Sequence, residues 1–178
     1  RLTEEYGGAW GINHTRRLLK LIAIIGEGQA YDEEAVWLAA HLHDWGAYGP
    51  WAQKDVDHVV RSVEVAQAFL AERECPEALT NRVLECIRLH HGCGPDGSLE
   101  AILLCDADAL DFLGVVGVLR DFAKSPKDMR KAYETTRKRC AKLPALLCLE
   151  KSREIAVERV RQMSELLDRF EQDSWGCF

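Results

Sequence analysis

The stretch "LAAHLHDWG" closes an apolar run that begins at Ala35 with two imidazoles and a carboxylate: His41, His43 and Asp44. A helix that only packs gains nothing from such an ending. A carboxylate at a helix C-terminus opposes the macrodipole, and a cation beside Asp44 would remove that conflict. Successive helical residues point about 100° apart. Val36, Ala39 and His43 therefore share a face, with Ala40 and Asp44 beside it, so His43 and Asp44 can converge on one ion. His41 faces away beside Trp37 and reads as structural.

Two further segments carry polar groups on apolar faces. His14 lies on a stripe with Leu18, Leu21 and Ile25, so it faces inward. "CDADALDFLG" sets Asp106, Asp108 and Asp111 in an otherwise apolar segment, where carboxylates are costly unless paired or metal-bound. Residues two apart differ by about 200° on a helix, so Asp106 and Asp108 cannot both serve one site. Asp108 lies with Ala101, Leu104 and Asp111; Asp106 lies with Ile102 and Leu110. Spacing leaves that choice open. His14, His43, Asp44 and one of these acids make a mixed nitrogen and oxygen set. It suits one divalent transition metal, with Mn, Fe, Ni or Co fitting best and Mg or Zn compatible.

Other candidates surround this set. His58 shares a line with Ser62, Val65 and Phe69; its roles are phosphate binding, acid catalysis toward a leaving group, or ligation of a second metal. His90 and His91 follow Val83 and Ile87 and can both face the core. Arg17, Lys54 and Arg61 are candidate phosphate contacts. The loop aromatics Tyr48 and Trp51 either stack on a base or cover the core.

The elements that must position these residues are helices. Apolar residues recur at three and four, and strand-like alternation is absent. Helices are predicted over about 10–25, from a cap at Asp32 to about Trp45, over about 56–72, from Pro76 to the "HHGCGPDG" loop, and from a Ser98 cap through "LEAILLCDADALDFLG". Three more cover about 115–123, 127–142 and 150–172. The expectation is an all-α, compact orthogonal helical bundle in one domain of 178 residues.

Composition narrows the class. Hydrophobic content of 47% with 29% charged residues describes a soluble globular chain, and no apolar run is long enough to span a membrane. No signal peptide is evident, and a cytoplasmic location is expected. The seven cysteines are odd in number and form no C-x-x-C pair, so reduced thiols are expected; Cys93, after the paired His, is the one thiol to consider as a ligand. A net charge of −6 argues against coating long nucleic acid, but not against a small phosphorylated ligand.

His14, then His43-Asp44, then Asp108 on successive helices resembles the HD superfamily of metal-dependent phosphohydrolases, in its branch of small stand-alone hydrolases. "NHTRRLL", "LAAHLHDWG", "DHVVRSVEVAQAFL", "VLECIRLHHG" and "LCDADALDFLGVVGVLR" each resemble a family segment, and "KLPALLCLEKSREIAVERVRQM" resembles the branch's C-terminal tail. The similarity implies a core over about residues 9–125 and a helical extension over about 126–173. It also implies Asp108 as the metal ligand, with Asp106 and Asp111 beside it. Ala109 departs from the basic residue usual after this Asp, and Trp45 from the usual aliphatic one. The implied activity is hydrolysis of a phosphoester or phosphoanhydride of a nucleotide or similar small metabolite, by water activated at the metal. In that reading Asp44 both ligates and orients the water. The doubled His90-His91 is similar to the two-metal HD-GYP phosphodiesterases, but "GCGPDGS" lacks their G-Y-P. One metal is therefore expected, with His58 and His90 either behind the metal ligands or on substrate and His91 as a second-metal candidate. Alternatives are a non-catalytic nucleotide sensor and an HD-fold di-iron oxygenase.

Overall fold

The structure, a computed structural model, describes residues 1–92, 94 and 96–178. Cys93 lies outside the described residues. Those residues form eight α-helices and no strand, in agreement with the all-α expectation. None of the helices is long and apolar enough to cross a membrane. The chain divides into two units, residues 1–107 and 108–178.

The first unit contains α1 (Leu2–Ile25), α2 (Glu33–Leu42), α3 (His58–Ala71), α4 (Glu77–Leu89) and the start of α5 (Leu99–Asp111). Helix α1 begins well before the predicted start near Trp10. It is interrupted at Gly8, whose φ of 59° is a left-handed value that a side chain would strain. The tail before Trp10 is polar and Gly-rich, so periodicity gives no helix signal there. Leu18, Ile22 and Ile25 of α1, Val36, Ala39 and Leu42 of α2, and Val83, Leu84 and Ile87 of α4 are buried. Asp57 caps α3 by accepting from Val59 N at 2.8 Å, and Ser98 caps α5 by accepting from Ala101 N at 3.3 Å.

The second unit contains α6 (Val115–Lys124), α7 (Met129–Lys142) and α8 (Glu150–Ser174). Its core includes Val118, Ala132, Leu147, Met163 and Leu167. Two buried acids are held inside it. Asp111 accepts from Arg120 Nη1 at 2.6 Å, while Asp121 pairs with Arg139 and accepts from Thr136 Oγ1 at 3.1 Å.

Candidate metal centre

The site is built around the end of α2. Asp32 starts that helix: Oδ1 accepts from Ala35 N at 3.0 Å and Oδ2 from Arg82 at 2.7 Å. The backbone bond, helped by Arg82, holds its carboxyl below the usual carboxylate range. Helix α2 ends at Leu42, before the predicted Trp45. His43 caps it, and Asp44 leaves it at φ −102°, ψ 3°. The cause is packing against α3. A Cβ on Gly46 would stand 2.3 Å from His58 O and 2.4 Å from Ser62 N, and Gly46 N donates to Ser62 Oγ at 2.8 Å. Backbone this close to α3 needs the tight turn over Trp45–Ala47 in place of another α-helical turn. That turn sets Asp44 near the first residue of α3, His58.

Hydrogen bonding fixes the chemistry of His43. Its Nδ1 lies 3.0 Å from Ala40 O. A carbonyl only accepts, so Nδ1 carries a proton and the neutral ring keeps its lone pair on Nε2. That Nε2 is 3.3 Å from His14 Nε2 and 3.5 Å from Asp44 Oδ2, and His14 Nε2 is 3.9 Å from the same oxygen. Ligands bound about 2.1 Å from one ion at right angles stand about 3 Å apart. Both imidazoles are almost wholly buried, and Thr15 Oγ1, bonded to Gly11 O at 3.2 Å and Ala40 O at 3.3 Å, ties α1 to α2 beside them. This donor set fits a divalent cation.

A second group of imidazoles adjoins the first. His58 Nε2 lies 4.0 Å from Asp44 Oδ1, so the two carboxylate oxygens of Asp44 approach different histidines. His90 Nδ1 lies 2.7 Å from Ile87 O, which again leaves the lone pair of the neutral ring on Nε2. His58, His90 and His91 offer nitrogens within 4.8 Å of one another. The rings of His43 and His90 are 5.0 Å apart, centre to centre.

Arg17 is half-buried on α1 and Lys54 is exposed. Arg61 donates from Nε to Trp51 O at 2.7 Å and pairs with Glu64 at 2.8 Å, so it braces the loop before α3. Trp51 stacks on Trp45 at 4.5 Å, and Tyr48 lies against Gly7 and Gly11; these aromatics cover the unit's own elements. His41 packs on Trp37 at 4.4 Å as expected, and burial lowers its pKa. Asp106 and Asp108 are both buried on α5, in keeping with their apolar surroundings in sequence. Asp111, also buried, faces Arg120, which compensates its charge within the second unit. Sequence reasoning missed the Gly46–Ser62 contact that orients Asp44. The available signal was a small polar residue, Ser62, on the apolar stripe of α3.

An all-α fold with buried His14 and His43, the second followed directly by Asp44, describes a class of helical domains whose donors could hold a divalent ion. The HD domain family model matches residues 11–113, more than half of the chain, and the chain belongs to that family. No curated protein matches it. Solved structures share the fold. A predicted HD superfamily hydrolase from an uncultured Thermotogales bacterium is 26% identical, with a TM-score of 0.65 over 92% of this chain and 80% of that one. Bacillus subtilis YpgQ, solved in complex with ADP, is 26% identical with a TM-score of 0.70, over 90% and 85%. An HD-superfamily hydrolase from Bacillus thuringiensis is 22% identical with a TM-score of 0.69, over 93% and 86%. The chain thus carries the HD-superfamily hydrolase fold.

Proposed function

We propose that this chain is a metal-dependent phosphohydrolase that cleaves a phosphoester or phosphoanhydride of a nucleotide or similar small phosphorylated metabolite. The observation that carries the reading is the convergence of His14 Nε2, His43 Nε2 and Asp44 Oδ2, with the His43 tautomer set by Ala40 O. ADP bound to the structural relative YpgQ supports the nucleotide class. His14, His43 and Asp44 would hold one divalent ion, and the family pattern adds Asp108. We read residues 1–178 as one HD domain with a C-terminal helical extension.

A divalent ion at this site supplies Lewis acidity and a water of lowered pKa. The chain's own groups do the rest. Asp44, with one oxygen toward His14 and His43 and the other toward His58, orients the attacking water and accepts its proton. His58 carries a proton for the leaving oxygen. Lys54 and Arg17 offer donors to the phosphate; His90, whose Nδ1 is held by Ile87 O, would donate from Nε2 only as an imidazolium, and Arg61 acts by holding the loop.

One observation favours a second reading. His58, His90 and His91 are themselves spaced for an ion, so these three residues would hold a second divalent metal and add its Lewis acidity to the site. A phosphate-release screen of nucleoside mono-, di- and triphosphates with Mn, Co, Ni or Mg tests the function. Turnover that a chelator removes and one of these ions restores is expected. Tight nucleotide binding without turnover would replace the enzyme with a sensor. Activity that survives Asp108→Ala with full metal content would remove Asp108 from the ligand set.

A further inference from the structure

Trp45 follows Asp44 directly, yet the two side chains serve different places. The Trp45 indole donates from Nε1 to Thr3 Oγ1 at 3.1 Å, stacks on Trp51, and meets Phe69 edge-on at 4.9 Å. It also walls a cavity of about 480 Å³ within the first unit. None of the proposed metal ligands lines this cavity.

The lining has a definite chemistry. Trp37, His41, Trp45 and Phe69 contribute rings, and Leu38 and Leu42 contribute aliphatic surface. Among the described residues, the charged side chains lining it are Arg73 and Arg1 and no carboxylate does, although the chain as a whole carries a net charge of −6. Arg73 is held in place: its guanidinium lies 3.6 Å over the Phe69 ring, and Nη1 donates to Phe69 O at 3.0 Å. That nitrogen also meets Glu72 at 3.5 Å, while the remaining guanidinium N–H groups have no protein partner among the described residues. The polar floor is fixed as well, because Thr3 Oγ1 donates to His41 O at 3.1 Å while accepting from Trp45. Trp37 is 51% exposed, an unusual setting for so large an apolar ring.

A preformed cavity of this size, walled by aromatic rings and edged by guanidinium groups, matches one class of ligand. We propose that it binds a small organic anion with a flat apolar body and a single anionic group, at a site separate from the metal centre. The rings take the apolar body by stacking, and Arg73 takes the anionic group. Trp45 is shared by the cavity wall and the turn that carries Asp44, so occupancy is reported by tryptophan emission.

The test uses 8-anilinonaphthalene-1-sulfonate as the probe, on the folded chain, by calorimetry and by quenching of tryptophan fluorescence. Saturable one-to-one binding is expected, unchanged by chelator. Arg73→Glu and Trp37→Ala, both at exposed positions, are each expected to weaken it about tenfold or more with the circular dichroism spectrum retained. His43→Ala, which removes a proposed metal ligand, is expected to leave it unaltered. Should either cavity variant fail to fold, Leu38→Trp, which fills the cavity, is expected to block binding instead. Absence of saturable binding, binding indifferent to the cavity variants, or binding lost with His43→Ala would each overturn the proposal.

Discussion

Acids are treated differently in the two units: Asp111 and Asp121 of the second are buried, while Asp44 of the first is partly exposed. In the second, Asp111 and Asp121 each meet a guanidinium, Arg120 at 2.6 Å for the first and Arg139 for the second, and Thr136 adds a hydroxyl. In the first, Asp44 is approached by imidazoles: His43 at 3.5 Å, His14 at 3.9 Å and His58 at 4.0 Å. A guanidinium carries a permanent charge, so the acid beside it is neutralised by the chain itself. A neutral imidazole whose Nδ1 is committed to a carbonyl offers a lone pair, which suits a cation supplied from outside. The guanidinium arrangement maintains a fold, and the imidazole arrangement, in the function proposed above, would hold a cation.

The contrast can be broken at either end. The largest effect is expected at Asp44. Asp44→Ala should lower hydrolysis on the order of 10³-fold or more, measured by phosphate release, and should abolish the rise in Tm that Mn gives the native chain. Next is Arg120→Met, which removes the guanidinium that Asp111 accepts from at 2.6 Å. It should cost about 3–5 kcal/mol in urea unfolding while leaving metal per folded chain unchanged. His58→Ala should lower kcat about 10²-fold with the metal retained, which separates proton handling from ligation.

The smallest effect concerns the helix start that aims the site. Asp32→Ala removes the α2 cap and should cost about 1 kcal/mol near neutral pH. The Asp32 carboxyl has a lowered pKa in the folded chain, so its contribution is fully present above its ordinary value of about 3.9 and is lost as pH falls through the lower, folded value. The unfolding curves of the native chain and of the Asp32→Ala variant should therefore converge only in that acid range.

Much of this centre was legible in sequence. The inward face of His14 and the separate setting of His41 follow from helical periodicity, and the structure has both; His43 and Asp44 also meet, but through the turn after α2 rather than a last helical turn. The helix starts set by Asp32 and Ser98 were readable because caps are local. The early end of α2 was not, because the close contact of Gly46 with His58 and Ser62 is tertiary and leaves no mark on the α2 pattern. The bracing role of Arg61 was hidden for the same reason: its partner, Trp51 O, is a backbone atom in a loop. The Gly8 break lay in a segment without periodicity. The grouping of His58 with His90 and His91 required knowing how α3 meets the end of α4.

The central claim is that His14, His43 and Asp44 hold an ion. Metal analysis after loading with Mn and exhaustive dialysis, on the native chain and on Asp44→Ala, tests it most directly. One equivalent of Mn is expected in the native chain and none in the variant, with identical helical circular dichroism. A native chain that retains no metal, or a variant that retains as much as the native chain, would contradict it.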